Sequence, residues 1–161
     1  MIQRSEKTSR EVWNKRVLRI AHEVASWSKD PKRQVGAVIV SQDFRSFSMG
    51  YNGFPRGIQD LDERLNDNEM RKRLTIHAER NALDNARFGL RNCSLYSTKY
   101  PCHDCAKSII QCGIATVIIP PPDFEHPTWG DSYRLAQSLF QEAGVQIYTR
   151  ELEDYEIGDG H

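Results

Sequence analysis

The sequence predicts a single α/β domain with helices on both faces of a five-stranded mixed sheet. Short β-branched runs, such as residues 114–119, alternate along the chain with longer amphipathic stretches. The chain has 161 residues, which is enough to build one hydrophobic core. Apolar residues make up 39% of it and charged residues 27%, as in an ordinary globular domain.

The N-terminal part of the chain predicts one long helix over residues 9–27. Ser9 is a candidate cap at its start, and Asp30-Pro31 can end it because a residue before proline disfavours the helical conformation. Its apolar side chains recur at helical spacing and are Trp13, Val17, Ile20, Val24 and Trp27.

Two strands and a polar loop are expected next. Residues 35–40 form a buried-strand pattern, and the turn at residues 41–43 leads into a second strand over residues 44–50. The following stretch, residues 53–68, holds Gly, Pro and many charges. It predicts an irregular loop with room for a short helix.

The second half of the chain alternates helices with strands. Glycine just past each predicted helix supplies a stop signal, and three consecutive prolines end the strand at residue 119. The acidic stretch over residues 151–161 predicts a loose tail. No domain boundary is visible, and one domain is expected over residues 1–161. The predicted helices cover residues 77–88, 102–111 and 132–143, and the strands cover 94–98, 114–119 and 145–148.

Composition argues against several classes of function. Lys plus Arg and Asp plus Glu each number 22, so the formal net charge is zero and no nucleic-acid partner is expected. A small anionic substrate remains possible, since it needs only local cations. No apolar run could cross a membrane, and the N-terminus lacks the apolar stretch of a secretory signal. The sequence therefore predicts a cytoplasmic protein with reduced thiols.

The stretch YPCHDCAK, residues 100–107, places two cysteines at a predicted helix start. Their spacing of three puts the thiols of Cys102 and Cys105 on one helical face, and the helix N-terminus favours thiolates. A thioredoxin-like redox pair is one alternative. Such pairs lie near the start of their domain, after the first strand of a βαβ unit, whereas these cysteines lie late in the chain. A four-cysteine zinc site is another, but Cys93 and Cys112 have no partner at ligand spacing.

The tripeptide His77-Ala78-Glu79 offers a third ligand. If a helix begins at His77, the side chains of His77 and Glu79 can serve one site from its first turn. Alone, the tripeptide is typical of an acidic helix start; with the later Pro-Cys-x-x-Cys it indicates a metal site. The ligands His77, Cys102 and Cys105 leave a fourth position for water, as in catalytic Zn²⁺ sites, with Glu79 as a candidate proton shuttle.

These motifs resemble the zinc-dependent cytidine and deoxycytidylate deaminases, whose signature joins H-x-E to P-C-x-x-C. The sequence has HAE at residues 77–79 and PCHDC at residues 101–105. Other segments are similar to the deoxycytidylate (dCMP) branch of that family. They are SKDP at 28–31, QVGAVIV at 34–40, GYNGFPRG at 50–57, HAERNA at 77–82 and CAKSIIQCGI at 105–114.

The resemblance implies a three-layer α-β-α cytidine-deaminase-like fold and a hydrolase that converts dCMP to dUMP and ammonia. The dUMP would supply thymidylate synthesis. Zinc-activated water would attack C4, and Glu79 would move protons to N3 and to the leaving amine. The implied substrate contacts are the Ala78 N–H and Pro101 carbonyl with the base, Asn52 with the sugar, Ser28 and Lys29 with the phosphate, and Tyr100 beside the base.

Several of these residues could instead have purely structural roles. Asn52 can be a turn residue, Lys29 a solvated helix end and Tyr100 strand-end packing. The resemblance also implies a homo-oligomer, a hexamer or a dimer, with dCTP and dTTP as possible effectors, although no separate signature for them is visible. Residues 120–133 match no pattern; they are expected to help close the pocket through Phe124, His126 and Trp129.

Rival functions share part of the pattern. A tRNA adenosine deaminase uses the same zinc chemistry but favours a basic surface for its polyanionic substrate. The deaminase half of a riboflavin-pathway enzyme commonly carries a reductase domain. Another cytosine nucleotide could be the substrate. From a different class, a zinc-stabilised binding module would have no use for Glu79 beside an open metal position.

Overall fold

A five-stranded mixed sheet forms the centre of the computed structural model, which describes residues 2–156 and the side chains of its first helix from residue 9 onward. The strand order is β2-β1-β3-β4-β5; β1 pairs antiparallel with β2 and β3, whereas β3, β4 and β5 are parallel. The predicted α/β class with a five-stranded mixed sheet is confirmed. The strands are β1 (Gly36–Val40), β2 (Phe47–Tyr51), β3 (Ser94–Ser97), β4 (Thr116–Ile119) and β5 (Gln146–Thr149).

Helices cover both faces of this sheet. In the described part of the chain, no helix is long and apolar enough to cross a membrane. The helices are α1 (Ile2–Ala25), α2 (Asp62–Asn66), α3 (Asn68–Leu74), α4 (Ala78–Asn85), α5 (His103–Gln111), α6 (Gly130–Ala143) and α7 (Glu153–Glu156).

The two hydrophobic clusters follow the alternation of side chains along the strands. Val38 and Val40 of β1 face α1 and pack with its Val17 and Leu18. Ala37 and Ile39, one residue out of phase, face the opposite side, where α4, α5 and α6 pack. Because both faces are covered, β1 and β4 are buried along their whole length.

The start of α1 differs from the sequence-based prediction. The helix begins at Ile2, so Ser9 is an interior residue and not its cap. The charged and polar residues before Ser9 contain no glycine or proline, and nothing in that stretch stops the helix from extending. The helix ends at Ala25, and Ser26 and Trp27 continue as a turn.

The second strand starts later than predicted, at Phe47. Phe44 lies in the turn before it with φ +57° and stacks on Trp13, with ring centroids 4.7 Å apart. This contact with α1 removes Phe44 from the hairpin ladder.

Helix α3 was not predicted: the predicted polar loop with room for a short helix covers residues 53–68, where α2 forms, and α3 begins at the end of that loop. Asp67 caps it by accepting a hydrogen bond from the Met70 N–H at 2.9 Å, and Arg71 is its one buried residue. A helix that buries a charged residue shows no apolar periodicity, which explains why the sequence pattern did not reveal it.

The C-terminal stretch is docked over its described residues and is not loose there. Residues 153–156 form the helical turn α7, and Tyr155 packs against the α1 cluster. The Tyr155 hydroxyl donates to Glu11 Oε2 at 2.5 Å, and Arg150 bonds to the same carboxylate. Residues 157–161, including His161, lie outside the described residues.

Gly50 of β2 allows α4 to lie directly on the sheet. A Cβ atom there would stand 2.3 Å from the Ala82 nitrogen and 2.4 Å from the Ala78 oxygen, which are backbone atoms of α4. We expect Gly50→Ala to lower the free energy of unfolding by about 3 kcal/mol, because the helix has to move. Chemical denaturation measures the loss.

The matched control for this prediction is Gly89→Ala. No atom lies within 4 Å of a Cβ built at Gly89. Its free energy of unfolding should change by no more than about 0.5 kcal/mol. A Gly50→Ala protein that unfolds at the wild-type denaturant concentration would show that α4 is not held by this close approach.

Candidate metal centre and active site

The start of α4 fixes the positions of His77 and Glu79. Backbone hydrogen bonds between Gly53 and Ile76, at 3.1 and 2.8 Å, hold the chain extended just before the helix. His77 is then the N-cap, and Glu79 lies in the first turn. This geometry places both side chains at the same end of α4, as the sequence requires if they are to share a site.

The start of α5 presents the two cysteines beside His77. Cys102 is the N-cap of α5, and its Sγ accepts a hydrogen bond from the Cys105 N–H at 3.5 Å. The Nδ1 atom of His77 lies 3.4 Å from the Sγ atom of each cysteine. The three candidate ligand atoms lie within 4.8 Å of one another.

These distances fit a zinc ion. Zinc–sulfur bonds of about 2.3 Å and zinc–nitrogen bonds of about 2.05 Å, at tetrahedral angles, separate the nitrogen and sulfur ligands by about 3.5 Å. The observed 3.4 Å separations agree with that value. Two thiols and one imidazole are also donors that zinc favours, and three ligands leave a fourth position open.

Electrostatics at the cluster favours negative charge on the sulfur of Cys102. Hydrogen bonding from the Cys105 thiol, and then from His77, lowers the pKa of Cys102 to about 4. Cys105 donates that bond and is buried, so its own pKa is raised. The hydrogen bond to Cys102 raises the pKa of His77. A divalent cation at this position would stabilise both cysteines as thiolates.

Glu79 stands next to the cluster as a buried carboxyl group. It is only 4% exposed, and the hydroxyl of the buried Ser97 donates to its Oε1 at 2.9 Å. Ser97 ends β3, so the sheet itself fixes the orientation of the carboxyl group.

A cavity of about 350 Å³ opens onto this cluster. Its size suits a small-molecule ligand. Five cationic and two acidic side chains line it, although the whole chain has no net charge. The charged lining residues are Lys32, Arg33, Arg71, Lys72, Lys99, Asp30 and Glu79.

Three of the expected substrate contacts, Asn52, Ala78 and Tyr100, line this cavity. The Asn52 side chain also joins two backbone segments: its Oδ1 accepts from the Val35 N–H and its Nδ2 donates to the Arg33 carbonyl, both at 2.8 Å. Pro101 is buried and directly precedes the Cys102 cap.

Ser28 and Lys29 do not line the cavity, and their expected contact with a phosphate stays a prediction. The Ser28 hydroxyl is buried and donates to the Asn52 carbonyl at 2.8 Å. Lys29 points to solvent and forms an ion pair with Asp60 at 2.9 Å. Ser28 therefore holds a loop, and Lys29 tethers the segment before α2.

Residues 120–133 supply one wall of the cavity. Trp129 and Tyr133 line it, and the Trp129 ring meets the His77 ring edge-on with centroids 6.1 Å apart. Of the other two residues expected to close the pocket, His126 accepts from the Thr128 and Trp129 N–H groups, and Phe124 stacks under Arg134. Neither lines the cavity.

Sequence reasoning missed the cations that line the cavity. Lys32 and Arg33 lie between two segments that carry the family resemblance, SKDP at 28–31 and QVGAVIV at 34–40. Lys72 and Lys99 are ordinary lysines in charged stretches. No local pattern marks such residues, because what distinguishes them is the tertiary contact that brings them to one cavity. Tyr133 was likewise missed, since its position on α6 is typical of a core residue.

Comparison with known proteins identifies the class as zinc-binding deaminases. Residues 11–120 match the family model of the cytidine and deoxycytidylate deaminase zinc-binding region. The matched part is more than half of the chain, and the chain belongs to this family.

Individual relatives agree with that assignment. A deaminase of Aliivibrio fischeri is 40% identical over 136 residues, covering 84% of this chain and 91% of the relative. Human deoxycytidylate deaminase is 36% identical over 139 residues, covering 83% and 76%. The structure of cyanophage S-TIM5 dCMP deaminase with dCMP and dUMP matches with a TM-score of 0.65 at 24% identity, covering 89% of this chain and 97% of the phage chain. At that identity the phage structure supports the fold.

Proposed function

We propose that this protein is a hydrolase that deaminates dCMP to dUMP and releases ammonia, with zinc held by His77, Cys102 and Cys105. The observation that carries the proposal is the buried Glu79 carboxyl group beside an open His-Cys-Cys cluster in one cavity. Family membership and the deoxycytidylate deaminases among its relatives support dCMP as the substrate.

Glu79 performs the proton transfers in this proposal. Zinc held by His77, Cys102 and Cys105 would supply a water activated near neutral pH. Glu79 would accept one proton as the water oxygen bonds to C4, and would deliver that proton to N3. It would then pass the proton of the new C4 hydroxyl group to the amino group, so that the C4–N bond breaks, a C4 carbonyl forms and ammonia leaves. Ser97 holds the carboxyl group in place throughout.

The two helix starts also offer groups that can hold the base. Ala78 is the first residue of α4, where a backbone N–H has no partner within the helix, and we assign it to the pyrimidine carbonyl. The Pro101 carbonyl is assigned to the amino group. Tyr100 forms the adjacent wall and meets Tyr133 edge-on at 5.3 Å.

Tyr100 is suited to donate one hydrogen bond in this pocket. Its hydroxyl is buried without a partner among the described residues. Burial raises its pKa to about 12, so the hydroxyl stays protonated at physiological pH. Asn52 is assigned to the sugar hydroxyl because its amide lies at the cavity and keeps one N–H after bonding to Arg33.

An ammonia-release assay tests the proposed substrate. We expect dCMP to give the highest kcat/KM in a panel with dCTP, deoxycytidine, CMP and a tRNA. Release from the tRNA alone would indicate an adenosine deaminase. No release from any member by protein that contains zinc would favour a non-catalytic zinc module.

Assembly is a separate part of the proposal. We propose a homo-oligomer, as the resemblance implies. Three large apolar side chains on one face of the edge strand β2 are 37–42% exposed, which favours burial against another chain. These residues are Phe47, Met49 and Tyr51. Sedimentation velocity, with and without dCTP or dTTP, measures the number of subunits and any response to these nucleotides.

A further inference from the structure

Arg33 is held in a fixed orientation at the cavity. Its backbone N–H donates to Asp30 Oδ1 at 3.1 Å, and its carbonyl accepts from Asn52 Nδ2 at 2.8 Å. The side chain donates from Nη2 to the Tyr133 hydroxyl at 2.7 Å, and Cζ lies 4.8 Å from the Trp129 ring centroid. Backbone and side chain are therefore both positioned before any ligand arrives.

The charge of Arg33 is not compensated by these contacts. Burial raises the pKa of Tyr133, so its hydroxyl is neutral, and the indole of Trp129 is neutral as well. No carboxylate among the described side chains of residues 9–155 forms an ion pair with Arg33. One of the five N–H donors of the guanidinium is used by Tyr133, and the others remain for a ligand.

Other charges at the cavity divide into two groups. Arg71 is 5% exposed and lies 3.5 Å from Asp30, and it also donates to the Leu65 carbonyl and to Asn68. Lys32, Lys72 and Lys99 line the cavity, are exposed and form no ion pair with a described residue, although Lys32 donates to the Asn68 side chain at 2.9 Å. Arg33 and these three lysines therefore keep positive charge that an anion in the cavity can bind.

The position of Arg33 relative to the metal cluster suits one nucleotide. The Trp129 ring contacts His77 at 6.1 Å between centroids and also lies under Arg33. Because the same indole contacts both groups, the two centroid distances limit the separation of the imidazole and the guanidinium to about 11 Å, which is the length scale of a nucleoside monophosphate.

We propose that Arg33 selects substrates that carry a 5′-phosphate by binding that phosphate while the base reaches the His77, Cys102 and Cys105 cluster. The inference rests on the proposed deaminase function. A planar guanidinium can give two parallel hydrogen bonds to a phosphate. Its contacts with Trp129 and Tyr133 reduce the ordering cost of binding. Lys72 and Lys99 add attraction without fixed geometry.

The test compares nucleotide and nucleoside in the zinc-loaded protein. We expect Arg33→Gln to lower kcat/KM for dCMP about 100-fold, mainly through KM, and to leave kcat/KM for deoxycytidine within about twofold. Arg33→Lys should recover part of the loss. An equal fall for dCMP and deoxycytidine would overturn the proposal, because it would indicate a structural role for Arg33.

Arg134→Gln is the matched control. Arg134 also stacks on an aromatic ring, Phe124 at 4.9 Å, but pairs with Glu125 and lies outside the cavity. Its dCMP kinetics should equal those of the wild type. A 100-fold loss of kcat/KM for dCMP in Lys29→Gln, with no loss in Arg33→Gln, would also overturn the proposal. It would identify Lys29 as the residue that binds the phosphate.

Equilibrium binding keeps this inference separate from the proposed reaction. The zinc-loaded wild type should bind dUMP about 100-fold more tightly than deoxyuridine, and Arg33→Gln should lose that preference. If the wild type shows the preference but releases no ammonia from dCMP, the proposed reaction fails and the role of Arg33 stands. A wild type without the preference overturns the role of Arg33 whatever its activity.

Discussion

Replacing Glu79 with glutamine should lower kcat for dCMP deamination by about 10³-fold or more. Glutamine has nearly the same shape, and its carbonyl oxygen can still accept the Ser97 hydrogen bond observed at 2.9 Å. It cannot carry a proton between water, N3 and the leaving amine. The loss should therefore fall on kcat, while KM stays close to the wild-type value.

The control for this substitution is Glu69→Gln. Glu69 also lies in the first turn of a helix, but on the exposed surface of α3 and away from the cavity. Both variants should keep the wild-type circular dichroism spectrum and zinc content. If Glu79→Gln deaminates dCMP at the wild-type rate, the assignment of Glu79 as the proton shuttle is wrong.

The fold was largely predictable because its signals are local. Strand β4 is a buried β-branched run, and α5 and α6, which precede and follow it in the chain, end within two residues of Gly113 and Gly144. The two helix starts that carry the site were also local features, since His77 and Cys102 are caps of α4 and α5. Short motifs could therefore place the candidate ligands before the tertiary structure was known.

The parts that sequence reasoning missed depend on contacts between distant segments. Arg33 meets Tyr133 across 100 positions of the chain, and no local pattern of either residue reports that contact. Lys29 was assigned to the phosphate because of its segment, but an ion pair to Asp60 directs it away from the cavity. The motif resemblance indicated the segment that holds Lys29 and Arg33. Tertiary packing determines that Arg33, and not Lys29, lines the cavity.

Tertiary packing, and not a local sequence pattern, also places the residues at the rim of the cavity. Trp129 lies in a segment without a recognisable pattern, yet the packing of α6 against α5 brings it beside His77. Gly130 permits the sharp entry to α6, because a Cβ there would stand 2.2 Å from the Phe124 carbonyl oxygen. The wall is thus built by backbone geometry that an isolated pattern does not encode.

Replacing Cys105 with alanine should remove both the metal and the activity. The wild type should contain about one zinc per chain, held by three ligands. With only His77 and Cys102 left, we expect less than about 0.1 zinc per chain after dialysis and no dCMP deamination above background. Elemental analysis and the ammonia assay measure the two losses.

Cys93→Ala separates loss of the ligand from loss of a buried thiol. Cys93 is 2% exposed, compared with 5% for Cys105, and its thiol contacts the Gly89 carbonyl oxygen outside the cluster. This variant should lose stability on the order of 1 kcal/mol but keep full zinc content and activity. Chelation of zinc from the wild type should abolish activity, and added zinc should restore it. A Cys105→Ala protein that retains one zinc per chain, or a wild type that stays active without metal, would refute the His77–Cys102–Cys105 assignment.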